Sequence, residues 1–196
     1  MLLNRRLLTA LALSMGIVVI LSNYLVQFPV KHYNLQDILT YGAFSYPIAF
    51  LITDLANRGY GKEVAKKIVY LGFFIGVMLT LLVSINFSNL ISIRIALGSG
   101  TAFLVAQLVD IIIFDKFRKN KNWYYAPLIS SFVASIVDTF LFFSISFYNT
   151  GIPWVTLALG DFVVKVLMVF IMLVPFRIIV SKLKDFSGKN ISYKIN

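Results

Sequence analysis

Long uninterrupted runs of apolar residues constrain this chain more than any other feature of its sequence. There are about six such runs, each of roughly twenty residues, which is the length that a helix needs to cross the hydrocarbon core of a bilayer. Only 13% of the residues are charged, too few to coat a soluble globule of this size. The sequence therefore predicts an integral membrane protein.

The runs predict an all-α fold, a six-transmembrane-helix bundle that forms one membrane domain over residues 1–196. Pro29 ends the first run, and Gly42 and Pro47 interrupt the second, because proline lacks the amide that a helix interior uses. The first run is too long for the apolar region of a signal peptide and lacks a small-residue cleavage site, so we interpret it as a retained helix. The predicted helices cover about residues 7–28, 38–55, 65–87, 91–114, 126–148 and 154–180.

The basic residues lie in alternate loops, which predicts the orientation of the bundle. Arg5 and Arg6 precede the first helix, and further Lys and Arg residues cluster in the second loop, the fourth loop and the C-terminal tail. Since cytoplasmic loops carry this excess of cations, both termini are predicted to be cytoplasmic. The net charge of +10 is spread over loop ends rather than gathered on one face, so we expect no nucleic-acid partner.

The sequence offers little that catalysis, metal binding or a cofactor would need. It has no cysteine and one histidine, His32, beside Lys31 in a short loop, where a solvated residue is more typical than a metal ligand. Gly98, Ser99 and Gly100 lie in an apolar run without the Lys–Ser/Thr pair of a P-loop, so they indicate close helix packing instead. We expect neither an enzyme nor a metal or cofactor site.

Six ionisable residues fall inside or at the ends of the predicted helices: Asp54, Arg94, Asp110, Asp138, Asp161 and Lys165. An unpaired charge at the bilayer centre costs at least about 3 kcal/mol, so these side chains should face the bundle interior. Asp161 and Lys165 have the i,i+4 spacing of an ion pair, which fits either a pair that anchors the helix or a functional network with Arg94. Asp138 has no cation in its own helix, so its partner is a neighbouring helix or a substrate.

Other polar and aromatic residues accompany these charges. Gln107 lies one turn before Asp110 on the same face. Asp54 and Arg58 also have i,i+4 spacing, at a membrane edge where a cytoplasmic gate and a simple helix-end pair remain alternatives. Phe44 and Tyr46 lie beside Pro47, where a broken helix can expose its backbone to a cavity; they either stack on a flat ligand or pack in the core.

Four stretches occur in order along the predicted helices two to six. They are Tyr46-Pro-Ile-Ala-Phe-Leu-Ile-Thr-Asp54 with Arg58 and Gly61; Arg94-Ile-Ala through Gln107-Leu-Val-Asp110 to Phe114; Ala126-Pro127 through Asp138-Thr139; and Asp161-Phe-Val-Val-Lys165 to Pro175. Each stretch is modest alone, but the four in this order and spacing are specific. Together they resemble the queuosine precursor transporter family, also called the vitamin uptake transporter family. The first helix and the tail match poorly.

The resemblance implies a multi-pass importer of the bacterial inner (plasma) membrane for queuosine precursors: 7-cyano-7-deazaguanine, 7-aminomethyl-7-deazaguanine or queuine. It also implies a fold similar to the substrate-binding subunits of energy-coupling-factor vitamin transporters, without a dedicated ATPase. A substrate-binding membrane subunit for a vitamin-like molecule, energised by a separate complex, is the alternative. Partners are then the small-molecule base and membrane lipid, with a monomer and a homodimer both open.

The predicted site is a polar cavity between helices two, four, five and six. A deazaguanine presents a ring N–H and an exocyclic amine side by side; a carboxylate can accept both, while an amide serves the ring carbonyl and aromatic side chains stack on the rings. The predicted substrate-binding residues are Asp138, Asp110, Gln107, Asn57, Phe44 and Tyr46. The predicted charge network, which includes any proton-coupling group, is Asp161, Lys165, Arg94, Asp54 and Arg58.

Overall fold

The computed structural model describes residues 5–32, 38–83 and 90–182, and these residues are almost entirely helical. Six helices within them have fourteen residues or more and one is a single turn. The helices are α1 (Arg5–Leu25), α2 (Gly42–Ser45), α3 (Pro47–Tyr60), α4 (Lys62–Val83), α5 (Leu90–Phe117), α6 (Tyr125–Phe147) and α7 (Trp154–Lys182). The predicted all-α fold is confirmed.

The lengths and composition of the helices fit a membrane. In the described residues, four helices are long and apolar enough to cross one, over Leu8–Leu25, Ile93–Phe117, Tyr125–Phe147 and Trp154–Lys182. Helix α3 has only 14 residues, which rise about 21 Å, and α2 extends it. The chain is therefore built as a multi-pass membrane protein. The end of the predicted third helix (84–87) and parts of the predicted first and third loops (33–37 and 88–89) lie outside the described residues.

The second predicted helix differs from the observed one at both ends. It was expected over 38–55, but residues 38–41 are not helical, α2 stops at Ser45, and α3 continues to Tyr60. Pro47 occupies the first turn of α3, where a missing amide is tolerated. Gly61 ends α3 with a φ of 88°, a left-handed conformation that glycine adopts without strain.

The two ends of the bundle differ in chemistry. We call them the Pro29 end and the Gly61 end, after one residue near each. At the Pro29 end, α1 and α6 finish while α5 and α7 begin. At the Gly61 end, α3 turns into α4, α5 connects to α6, and α7 finishes. Ion pairs at the Gly61 end join Asp115 to Lys62 and to Arg118, each at 3.8 Å. The sequence predicts that this charged end is cytoplasmic.

Helices α1 and α4 approach each other closely because glycines lie at their contact. A Cβ atom on Gly76 would lie 2.7 Å from Val19 Cγ1 and 2.8 Å from Val19 Cβ. Gly16 faces Ile75, and Gly72 faces Met15, in the same tight way. Small residues let helix backbones pack closely in a membrane, where lipid is as apolar as leucine.

Replacing Gly76 by alanine should therefore lower the thermal unfolding temperature in detergent, since crowding a packed interface costs about 1–3 kcal/mol and branched Val19 has little freedom to move. The matched control is Gly100→Ala, whose new Cβ would meet Phe73 Cε2 at an ordinary 3.6 Å and should melt like the wild type. Equal melting of both variants would contradict this account of the α1–α4 contact.

Candidate functional site

The centre of the bundle contains an ammonium group held between two carboxylates. Lys165 of α7 is only 3% exposed; its Nζ lies 2.6 Å from Asp138 Oδ2 on α6 and 2.5 Å from Asp161 Oδ2 on α7. The Thr139 hydroxyl donates to Asp161 Oδ2 at 2.9 Å. We call these four residues the Lys165 cluster. The i,i+4 pair predicted from sequence is present, and the partner of Asp138 proves to be a cation from the neighbouring helix.

The Lys165 cluster holds more acceptors than donors. Two carboxylates face one ammonium, and Asp138 Oδ1 is buried without a hydrogen-bond partner among the described residues. The Tyr46 hydroxyl lies beside this carboxylate, and Lys165 Nζ sits 5.2 Å from the centroid of the Tyr46 ring. The Tyr46 hydroxyl is within hydrogen-bonding reach of Asp138, but one hydroxyl proton cannot satisfy both lone pairs of a carboxylate oxygen, so the cluster favours a ligand that donates a further hydrogen bond to Asp138.

A narrow cavity reaches the Lys165 cluster from the Pro29 end. The centre of a water molecule fits in only about 20 Å³ of this cavity. The cavity is thus too narrow to hold a bicyclic base without movement of its lining side chains. The cavity is lined by Ser22, Asn23, Val26, Gly42, Tyr46, Ser99, Asp138, Phe142, Asp161 and Lys165.

Helix α1 contributes polar residues to this cavity that the sequence reasoning missed. The Ser99 hydroxyl donates to Asn23 Oδ1, which links α5 to α1. The hydroxyls of Ser22 and Ser45 lie 2.9 Å apart, which links α1 to α2. Neutral serines are common in membrane helices as packing residues, so only the adjacent polar pair Ser22–Asn23 in an apolar run could have indicated a site.

Two predicted site residues lie away from the cavity. Phe44 is 43% exposed on the bundle surface and does not line the cavity, since α2 turns this side chain outward. Arg94, expected to join Asp161 and Lys165, instead donates to the carbonyls of Ile145 at 3.1 Å and Tyr148 at 2.7 Å. Its position near the start of α5 places it at the Pro29 end of α6, where it satisfies carbonyls of the last helical turn.

A second buried polar cluster lies nearer the Gly61 end. The hydroxyls of Ser130 and Ser131 on α6 donate to Asp54 Oδ1 at 3.3 Å and Asp54 Oδ2 at 3.2 Å. The Asp110 carboxyl group of α5 lies against that of Asp54, close enough for a carboxyl–carboxyl hydrogen bond. We call Asp54, Asp110, Ser130 and Ser131 the Asp54 cluster.

The predicted substrate-binding residues other than Phe44 are divided between the cavity and the surroundings of the Asp54 cluster. Asp138 and Tyr46 line the cavity, whereas Asp110, Gln107 and Asn57 lie on the α3–α5 contact beside the Asp54 cluster. Gln107 Oε1 accepts from the Thr53 hydroxyl, and Asn57 Nδ2 donates to the carbonyl of Ile111 at 3.0 Å. The structure therefore does not bring Asp110 and Asp138 to one site, because they are separated along the axis of the bundle.

Arg58 does not form the expected pair with Asp54. Its guanidinium donates to the carbonyl of Arg118 at 2.6 Å and to that of Trp123 at 3.2 Å, and it lies over the Phe114 ring at 5.4 Å. The side chain thus extends toward the loop between α5 and α6 rather than back along α3. Of the two alternatives left by the sequence, a link that closes the Gly61 end fits this geometry better than a helix-end ion pair.

Comparison with known proteins places these residues in a family. Residues 40–180 match the family described as putative vitamin uptake transporter. The chain belongs to this family. The matched segment contains every residue of both clusters, whereas the α1 residues of the cavity precede it. Membership in a transporter family confirms the prediction of a carrier rather than an enzyme.

Two relatives of the chain carry more specific names than the family description. An Escherichia coli protein named queuosine precursor transporter is 31% identical over 177 residues, 81% of this chain and 79% of that protein. A Haemophilus influenzae protein named probable queuosine precursor transporter is 35% identical over 154 residues, 69% of this chain but only 66% of that protein. No solved structure matches the chain, so the expected likeness to energy-coupling-factor subunits stays a prediction.

Proposed function

We propose that this protein imports 7-deazaguanine precursors of queuosine across the bacterial inner membrane, with both termini in the cytoplasm. The names of the relatives support the substrate class. The observation that carries the proposal is the buried Lys165 cluster at the end of a cavity, with one carboxylate oxygen of Asp138 left to accept hydrogen bonds. Such a site is of little use to a protein with a purely structural role, because burying it is costly.

The cavity chemistry suits the edge of a guanine-like ring. Asp138 accepts from the ring N–H and the exocyclic amine, which lie side by side on a deazaguanine. Ser99 and Asn23 offer hydroxyl and amide groups to the remaining polar edge, and the rings of Tyr46 and Phe142 offer faces to the bicycle. In this proposal Asn23 takes the role that the sequence predicted for Gln107, which lies outside the cavity and is bonded to Thr53.

The cavity must widen to admit a base, and the break between α2 and α3 is a place where it can do so. A space of about 20 Å³ holds about one water molecule, so a bicyclic base enters only when lining side chains separate. Tyr46 lies between α2 and α3, directly before Pro47, at a break that can change its angle without breaking a continuous helix. The Pro29 end is the entry side if the basic Gly61 end faces the cytoplasm.

We further propose that the chain works alone and uses the proton gradient rather than a separate energising complex. In liposomes that contain only the purified protein, labelled 7-cyano-7-deazaguanine or 7-aminomethyl-7-deazaguanine should accumulate under an inwardly directed proton gradient. Unlabelled deazaguanines should compete and adenine should not, because adenine lacks the paired N–H and amine edge.

Three outcomes are distinguishable in this assay. Accumulation that stops when the gradient is collapsed supports both parts of the proposal. Binding of the base without any uptake contradicts independent transport and favours the binding-subunit alternative. Neither binding nor uptake of any deazaguanine contradicts the proposed substrate class.

A further inference from the structure

We infer that the Asp54 cluster is a proton-binding site in which Asp54 and Asp110 share the coupling proton, separate from the cavity that holds the substrate. The inference rests on the proposed function as a proton-coupled importer, and it assigns the coupling step to residues that the substrate does not contact. One proton enters from the outer side, is held between the two carboxyl groups, and leaves to the cytoplasm in the cycle that carries one base inward.

The Asp54 cluster brings two buried carboxyl groups together. Asp110 is 0% exposed, and its carboxyl group lies within hydrogen-bonding reach of the Asp54 carboxyl group. Neither Asp110 oxygen receives a hydrogen bond from a described residue. Ser130 and Ser131 each have one hydroxyl proton; both hydroxyls reach Asp54, both lie near Asp110, and that of Ser130 also reaches the carbonyl of Pro127 at 3.4 Å. Two hydroxyl protons cannot satisfy four buried carboxylate oxygens, so a proton shared between the two acids supplies the missing donor.

No cation among the described residues forms an ion pair with either carboxyl group. Arg58 on α3 interacts with Asp54 only at a distance, since its guanidinium is bonded to the carbonyls of Arg118 and Trp123. The side chains of α6 and α7 that surround Asp54 are proline, serine and apolar residues. The cations and Glu63 of helix α4 lie on the side that faces away from the core. The side of α4 that faces the core packs Ala65, Ile68 and Val69. Two adjacent carboxylates without a cation repel each other strongly in a medium of low dielectric constant.

The Asp54 cluster suits a proton better than a metal ion. Among the described residues no group of three or more acidic, histidine or cysteine side chains is arranged to hold a metal ion, and the two serine hydroxyls of the cluster act as hydrogen-bond donors to Asp54. The space beside Asp54, between α3, α6 and α7, is about 10 Å³, which is about one water molecule. Such a space gives a proton access through water and leaves little room for an ion with its ligands.

The proton site and the substrate site are joined by one face of α6. Ser131, Ser135 and Asp138 follow one another at intervals of four and three residues and are all buried, so they lie on the same face of the helix. Seven residues rise about 10 Å, which separates the two sites but places them on one rigid element. Ser135 Oγ, between them, has no hydrogen-bond partner among the described residues. A movement of α6 on substrate binding therefore changes the Ser131–Asp54 contact directly.

The test uses liposomes with purified protein and labelled 7-cyano-7-deazaguanine under an inward gradient of one pH unit. Coupling of one proton to one base allows about tenfold accumulation, because one pH unit corresponds to a factor of ten. We expect the wild type to approach this ratio. Asp110→Asn and Asp54→Asn, tested separately, should exchange internal for external base but give an accumulation ratio of about one at any gradient. The matched control is Asp115→Asn, five residues beyond Asp110 on α5 and paired with Lys62 and Arg118, which should accumulate like the wild type.

To check that each variant folds, the melting temperature is measured with and without the base. The base should raise it in both variants as in the wild type, because neither acid touches the cavity. If either folded variant accumulates base as the wild type does, the inference is wrong. A wild type that equilibrates the base without responding to the gradient overturns the inference and leaves the proposed import intact. A wild type that neither binds nor carries any deazaguanine overturns both.

Discussion

Replacing Lys165 by methionine should destabilise the protein more than any other single change at the candidate site. The substitution keeps most of the length of the side chain but removes the one ammonium group that contacts both Asp138 and Asp161. Breaking a buried ion pair by removing one partner costs about 3–5 kcal/mol, because the remaining charge has no compensation. Here two buried carboxylates lose their partner at once. We expect a large drop in the melting temperature in detergent and a loss of monodisperse protein.

Removing all three charges separates the stability of the Lys165 cluster from its function. Buried ion pairs are often replaceable by uncharged groups of similar size with little change in stability. The triple variant Asp138→Asn, Asp161→Asn, Lys165→Met should therefore melt much closer to the wild type than Lys165→Met alone, while its uptake of labelled base stays absent. Wild-type melting of Lys165→Met would show that the ammonium group is not what compensates the two carboxylates.

The sequence predicted the membrane class and most of the helices because their signals are local. Apolar run length alone placed five of the six long helices within a few residues of their observed bounds. The start of the second helix was misplaced because Gly42 acts through a tertiary contact: it lies against Val26, directly after α1, and this approach could not be inferred from the α2–α3 segment itself. The position of this helix break therefore depends on the packing of α1 against it.

The site was predicted less well, because a residue's helix and depth do not fix its direction. The spacing of Asp161 and Lys165 predicted their pair, but the partner of Asp138 was left open between a neighbouring helix and a substrate, and the structure brings all three together. Asp110 was named beside Asp138 as a carboxylate that could bind the base, although the packing of α3 on α5 directs Asp110 to Asp54. Arg94 shows the same limit, since it satisfies backbone carbonyls that no sequence pattern displays.

Asp138→Asn should abolish function while the fold survives, and comparison with Asp161→Asn makes this result specific. Either change removes one carboxylate and leaves Lys165 paired with the other, so the two variants should melt alike. They should differ in binding, because Asp138 has a free oxygen in the cavity while Asp161 is bound by Lys165 and Thr139. Matched stability with unequal binding is the expected pattern.

The size of the binding loss follows from the two hydrogen bonds assigned to Asp138. Hydrogen bonds to a charged group are worth about 1.5–3 kcal/mol each, and asparagine replaces one acceptor by an amine that faces the donors of the base. We expect the Kd of 7-cyano-7-deazaguanine for Asp138→Asn to rise about 100-fold or more, measured by competition with labelled base. Asp161→Asn should change it far less.

A substrate analogue without the exocyclic amine identifies which contact is lost. The analogue should bind the wild type more weakly than the full deazaguanine, because Asp138 then accepts only the ring N–H. In Asp138→Asn the two compounds should bind equally, since the contact to the amine is already gone; this is a double-mutant cycle with one change made in the ligand. If the amine contributes as much to binding in Asp138→Asn as in the wild type, another group holds it, and Asn23, which lines the same cavity, becomes the residue to test.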